Sequence, residues 1–346
     1  MKVLKDWKTQ EIIGNKMFRR KICCVVIILL FAYDFYYLTS SSGVVLKDHK
    51  FTLLGPYNKT EYPSEDIYNL LINIKNFSFK LNSNVCEKQP NGLLLVIIIA
   101  SNPINVENRL LIRNTWGKNT RTSKTVFLVG ESKNQTVANR IYNESVLYGD
   151  IVQGTFIDAY RNMTYKHVMG LKWVVHHCRK AKYILKGDDD IVTNIIGLKK
   201  FLTRELSPWG ATDLIACNVL LNSVVQRSTG HKWRVTMKEY DGYYYPDYCA
   251  GWAVIYSQDV VYRLLKRAHT APYFWIDDVH ITGAIAEELA IPRTGLDTLI
   301  LSGYRADVLI FMGFSYAGNF LFGPPDLPLE RILRIWKSIP KTYEDE

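Results

Sequence analysis

The chain is 346 residues long and 48% hydrophobic, so it can bury a full core and is neither disordered nor fibrous in composition. Its formal charge is +10, yet residues 1–21 carry seven basic side chains (Lys2, Lys5, Lys8, Lys16, Arg19, Arg20, Lys21) against Asp6 and Glu11, a local +5. The other half of the excess is spread along the remaining length without a dense Lys/Arg block, which argues against nucleic acid as a partner.

The basic leader runs directly into Ile22-Cys23-Cys24-Val25-Val26-Ile27-Ile28-Leu29-Leu30-Phe31-Ala32-Tyr33 and on to Leu38. Residues 22–38 therefore read as a transmembrane signal anchor, at the short end for a spanning helix, with Tyr36 and Tyr37 suited to the far interface and Asp34 within reach of headgroups. Basic residues ahead of the span predict a cytosolic tail over 1–21 and a luminal body, and a short span fits the thinner membranes of the early secretory route. A cleaved signal peptide is the rival, because Ser40-Ser41-Ser42-Gly43 follows the apolar run, but the long polar leader favours the anchor. Asn58, Asn76, Asn134, Asn143 and Asn162 each open an Asn-x-Ser/Thr acceptor, which matters only in a secretory compartment. Cys86, Cys178, Cys217 and Cys249 lie beyond the span without metal or redox spacing, so structural disulfides are expected, with all three pairings open.

Residues 39–90 are polar and read as a luminal stem, with a short helix near 65–74. After Pro90-Asn91-Gly92 comes Leu93-Leu94-Leu95-Val96-Ile97-Ile98-Ile99-Ala100, a branched apolar run of the kind found in strands covered on both faces. Further strands are expected at 125–129, 151–155, 183–185, 214–217 and 253–256. Between them, Val168, Leu171, Val175 and Cys178 give a helix over 163–180 one apolar stripe, and Ser257 begins a helix through residue 267. Alternating strands and helices indicate one α/β domain over 91–346.

Asp188-Asp189-Asp190 follows the strand-like Tyr183-Ile184-Leu185 and precedes a helical stretch. Three adjacent carboxylates at a strand's carboxyl end repel one another unless a cation lies between them, and that end is where open α/β sheets bind ligands. The plain alternative is a solvated acidic turn capping the next helix. Arg109 and Arg113 share a helix face, so two guanidinium groups side by side can hold a diphosphate, with Ser101 ending the preceding strand nearby; ordinary surface arginines are the alternative.

Asp158-Ala159-Tyr160-Arg161-Asn162-Met163-Thr164-Tyr165-Lys166, preceded by Glu144-Ser145 and Tyr148-Gly149-Asp150-Ile151, makes the pattern specific. With Arg109-x-x-x-Arg113-x-Thr115-Trp116, the Asp triplet, Tyr245-Pro246-Asp247-Tyr248-Cys249-Ala250-Gly251 and Asp277-Asp278-Val279, it resembles the inverting β1,3-glycosyltransferases, the galactosyltransferase family distantly related to fringe. The resemblance covers roughly residues 92–290. It implies a GT-A type nucleotide-sugar-binding α/β sandwich with a mixed, mostly parallel central sheet. It also implies a Golgi, single-pass type II enzyme that moves galactose or an N-acetylhexosamine from a UDP-sugar to a glycolipid or glycoprotein glycan. By this resemblance Asp188 and Asp190 hold Mn²⁺ or Mg²⁺ against the UDP diphosphate, Asp190 most directly, beside Asp189. Ser101, Arg109, Arg113, Asp158 and Lys166 then lie on the donor side, and Tyr248, Gly251, Trp252 and Asp277 line the sugar pocket. Asp278 is the catalytic base.

The chain departs from the family pattern at three points. Asp277 stands where Glu is usual, Trp252 follows Gly251 where a small residue is common, and no histidine follows His280 to serve as the family's downstream metal ligand. A glycan-binding or chaperone-like relative without turnover is therefore the alternative function. A metal-dependent phosphodiesterase is a third, disfavoured by the lack of a His/Asp two-metal cluster.

Overall fold

Six consecutive residues, Leu95–Ala100, are buried along their whole length, as the apolar run predicts. Burying each such aliphatic side chain stabilises the fold by about 1.5–3 kcal/mol, and this strand lies at the middle of the sheet. The computed structural model describes residues 50–58, 68–87, 89 and 92–341. The expected tail and anchor lie outside these residues, and among the described residues no helix is long and apolar enough to cross a membrane.

The main sheet has eight strands: β1 (Phe79–Leu81), β2 (Leu95–Ala100), β3 (Ser123–Glu131), β4 (Ile151–Ile157), β5 (Tyr183–Asp188), β6 (Ile215–Leu220), β7 (Tyr248–Ser257) and β8 (Arg293–Gly295). Their spatial order is β8-β6-β7-β5-β2-β3-β4-β1. The run β5-β2-β3-β4 is parallel, β7 lies antiparallel to both β5 and β6, and β1 closes the far edge antiparallel to β4. The sheet is thus mixed and mostly parallel. Helices α1 (Val106–Asn114), α2 (Gln135–Tyr148), α3 (Met163–His177) and α4 (Gln258–Ala268) connect or cover the strands. All five other expected strands and the helices expected over 163–180 and after Ser257 appear, each with slightly shifted ends.

Helix α3 differs from the single stripe expected. Every residue from Lys166 to Val175 is buried, including His167 and Lys172, because the helix is covered on its outer side as well. Its sheet face packs against Ile98 and Leu128, so closely that a Cβ at Gly170 would lie 2.5 Å from Leu128 Cδ1. Three residues further on, Trp173 Nε1 donates to Asn82 Oδ1 at 2.9 Å.

Part of that covering comes from α4 and part from the segment read as a stem. Leu70–Leu71 and Ile74–Lys75 form a hairpin where a helix was expected, while residues 65–67 lie outside the described chain. Phe79–Leu81 is strand β1 of the main sheet, Thr52–Leu53 pairs with Ala211–Thr212, and Cys86 is bonded to Cys178 at the end of α3. The described part of residues 50–89 therefore belongs to the body, and the boundary drawn at residue 91 falls within it. The second disulfide joins Cys217 to Cys249 across β6 and β7. Of the glycan acceptors, Asn58, Asn76, Asn134 and Asn143 are exposed; Asn162 is part-buried, its Nδ2 donating to Ile157 O at 2.8 Å.

Candidate active site

The carboxyl ends of β2 and β5 lie side by side, with Ala100 opposite Asp188 and Gly187 opposite Ala253 of β7. The three aspartates diverge at this edge. Asp188 keeps a partly open carboxylate whose Oδ1 is 3.1 Å from Lys186 Nζ. Asp189 turns inward, where Ser101 Oγ donates to its Oδ2 at 2.6 Å and Asn105 Nδ2 reaches the same oxygen at 3.1 Å. Asp189 is therefore a brace between two loops and not part of the open metal element expected. Asp190 is part-buried, and its backbone carbonyl accepts from Leu327 N at 3.0 Å. Burial, followed by the carboxylates of Asp188, Asp189 and Asp326, pushes Asp190 up to about 6.

Among the described residues no group of three or more His, Cys, Asp or Glu is arranged to hold a metal ion. The donor set nevertheless fits a hard divalent cation. Asp188 and Asp190 offer carboxylate oxygens with no protein cation among the main influences on Asp190, and Mg²⁺-like ions are commonly held by one or two carboxylates plus substrate phosphates and water. His280 is buried two residues past Asp278, its Nε2 has no hydrogen-bond partner among the described residues, and burial lowers its pKa to about 4.

The loop after Trp275 delivers the second acidic pair. Asp277 Oδ2 is 2.9 Å from His167 Nδ1 and 3.7 Å from Lys186 Nζ. Burial opposes its ionisation, but Lys186 and His167 outweigh this and hold the Asp277 carboxyl well below the usual range. Burial keeps His167 neutral, so its Nδ1–H donates to Asp277 while Nε2 faces the Tyr256 hydroxyl at 3.2 Å. Asp278 caps the wide π-type turn Val279–Ile285, accepting from Val279 N at 2.8 Å. Its Oδ2 accepts from Gly251 N at 3.3 Å. Burial, then the charge of Asp277, raises Asp278 to about 7. A carboxylate poised near neutrality suits general-base work.

Lys186 ties these parts together. Buried at the end of β5, it bonds Asp188 and the Gly251 carbonyl and lies beside Asp277. The sequence reading missed both Lys186 and His167. A lysine in an apolar strand, and a histidine four residues before Leu171 on the apolar stripe of α3, were the available signals. Tyr248 packs against Gly283 of the same turn, within electrostatic reach of Asp278. Trp252 meets Phe322 of the carboxyl-terminal segment edge-on at 6.4 Å.

The two arginines are not a diphosphate clamp. Arg109 is fully buried, with all five donors used: two on Glu144, and one each on Ser101 Oγ, Asn102 O and Pro103 O. Arg113 bonds Glu144 and Asp150 and stacks at 4.1 Å from the Tyr148 ring centroid. Asp158 and Lys166 form a buried ion pair at 2.9 Å, the lysine also donating to Ser101 O at 2.7 Å and the aspartate accepting from Gly130 N at 2.6 Å. These expected donor-side residues shape the end of β2 from behind.

The site thus brings two acidic pairs to the carboxyl edge of a mixed sheet, where open α/β sheets bind their ligands. The Galactosyltransferase family model matches residues 107–297, and the chain belongs to that family and is a hexosyltransferase. It is 30% identical over 239 residues to human Beta-1,3-galactosyltransferase 5, covering 67% of this chain and 75% of that protein. It is 33% identical over 212 residues to UDP-GalNAc:beta-1,3-N-acetylgalactosaminyltransferase 1 of Mus musculus, covering 59% and 62%.

Proposed function

We propose that the protein transfers a hexose, galactose first and an N-acetylhexosamine second, from a UDP-sugar to a glycolipid or glycoprotein glycan in β1,3 linkage with inversion. Juxtaposition through Lys186 of the Asp188/Asp190 edge with a carboxyl, Asp278, poised near pH 7 carries this reading. Asp278 takes the proton of the acceptor hydroxyl. That oxygen bonds the anomeric carbon as the bond to UDP breaks, and UDP leaves with the electron pair. Gly251 N–H and Val279 N–H orient the base; Lys186 and His167 keep Asp277 ionised beside it. Asp188 and Asp190 are the residues to hold Mn²⁺ or Mg²⁺, which when bound neutralises charge on the diphosphate.

Two disulfides and four exposed glycan acceptors support a luminal body, and the apolar run at 22–38 supports a single-pass, amino-terminus-in Golgi anchor with a tail at 1–21. The test is UDP release from UDP-galactose by the full-length chain with Mn²⁺, with and without a panel of glycans. Acceptor-dependent release is expected. UDP-sugar binding without release overturns the proposal in favour of the inactive relative, and cleavage within the diphosphate overturns it in favour of a phosphodiesterase.

A further inference from the structure

The segment between β6 and β7, residues 221–247, takes no part in the chemistry above, yet it is a built structure. Its ends are joined by Cys217–Cys249. Arg227 bonds Val235 O at 3.0 Å and Gly242 O at 2.7 Å across it, and Val225, Val235 and Tyr245 are buried against Phe274, Trp275, Ile276 and Val279. Glu239 bonds Arg161 just ahead of α3, and Arg161 stacks over Trp275 at 4.4 Å. The segment is thus clamped beside the stretch that carries Asp277 and Asp278.

At this seam two aromatic rings remain open. Trp233 is 47% exposed and Tyr160 is 44% exposed. Lys232 Nζ lies between the two rings, 5.0 Å from the Tyr160 ring centroid and 5.3 Å from that of Trp233. Tyr160 in turn lies 5.9 Å from Trp275, three residues before Asp278. Through this contact with Trp275 the pair sits beside the stretch that carries Asp277 and Asp278. A rigid apolar surface with a polar rim matches a pyranose, which has a C–H face edged by hydroxyls.

We propose that Trp233 and Tyr160 form the wall of the acceptor subsite, stacking on the apolar face of the sugar whose hydroxyl Asp278 deprotonates. The ligand class is a terminal hexopyranoside, and the inference rests on the transferase reading. Its test compares wild type, Trp233→Ala and Trp233→Phe in the full-length chain, using UDP-galactose and the methyl β-glycosides of galactose, N-acetylglucosamine and N-acetylgalactosamine. Trp233→Ala is expected to raise acceptor KM at least about tenfold while UDP-galactose KM stays within about twofold, and Trp233→Phe to recover most of the loss. An unchanged acceptor KM, or donor and acceptor KM rising together, overturns the wall. Should wild type transfer nothing, the transferase reading fails by itself, and saturation-transfer NMR with the same glycosides decides the wall. Contact in wild type that is lost in Trp233→Ala sustains it, and no contact in wild type overturns it.

Discussion

Replacing Arg109 by Met separates a structural guanidinium from a substrate-binding one. The side chain donates to Glu144 at 2.8 and 2.7 Å, to Ser101 Oγ at 2.9 Å, and to the carbonyls of Asn102 and Pro103 at 2.7 and 3.1 Å, and none of it is exposed. Breaking a buried ion pair from one side costs about 3–5 kcal/mol. Arg113 still holds Glu144 Oε1, so the low end, about 3 kcal/mol, applies to the charge, and two stranded carbonyls add about 1 kcal/mol each. A loss of about 4–5 kcal/mol corresponds to a fall in melting temperature of roughly 10 °C for a domain of this size. Removing the stranded carboxylate as well, in Arg109→Met/Glu144→Leu, should recover part of this. The assay is thermal unfolding of the purified chain, paired with calorimetric titration of UDP and Mn²⁺ well below both transitions. The reasoning is refuted if Arg109→Met melts with wild type while its UDP affinity drops about a hundredfold.

Asp278→Asn should abolish transfer while leaving UDP affinity within about twofold; near-normal turnover removes the base assignment. Since protonation silences the base, kcat/KM should fall about tenfold per pH unit below about 7, with Asp277 raising that limb and Lys186 and the backbone N–H groups of Val279 and Gly251 lowering it. Asp277→Asn therefore moves the limb to lower pH, and a limb unmoved in its pH–rate profile contradicts the coupling. A Cβ at Gly251 would lie 3.1 Å from Asp278 Cβ, so Gly251→Ala should cut kcat about tenfold or more with little change in unfolding midpoint. Cys86→Ala/Cys178→Ala, opening a bridge across 92 residues, should cost about 2–5 kcal/mol in denaturant unfolding, and reductant should then destabilise the variant less than it destabilises wild type.

Much of the fold was legible because it is written locally. A branched apolar run opened by a turn signal, such as 93–100, reads as a strand covered on both faces, and Asp188 and Asp190 after a second such strand mark the carboxyl edge of the sheet. Asp278 is singled out by its motif, and the structure adds the local cap that orients its carboxylate. What the sequence left open concerns partners. Which group a charge meets depends on strand order and helix covering: Arg109 finds Glu144 across 35 residues, Ser101 finds Asp189 across 88, and His167 finds Asp277 across 110. For the same reason the pairing of Cys86 with Cys178 and the packing of residues 68–81 onto α3 could not be read from spacing. The sequence by itself determined which segments are apolar, where the acidic groups cluster and which family they resemble. Only the tertiary structure decided which of those charges are spent holding the scaffold and which stay open to substrate, because a buried ion must be paired and its partner comes from wherever the sheet brings the chain back.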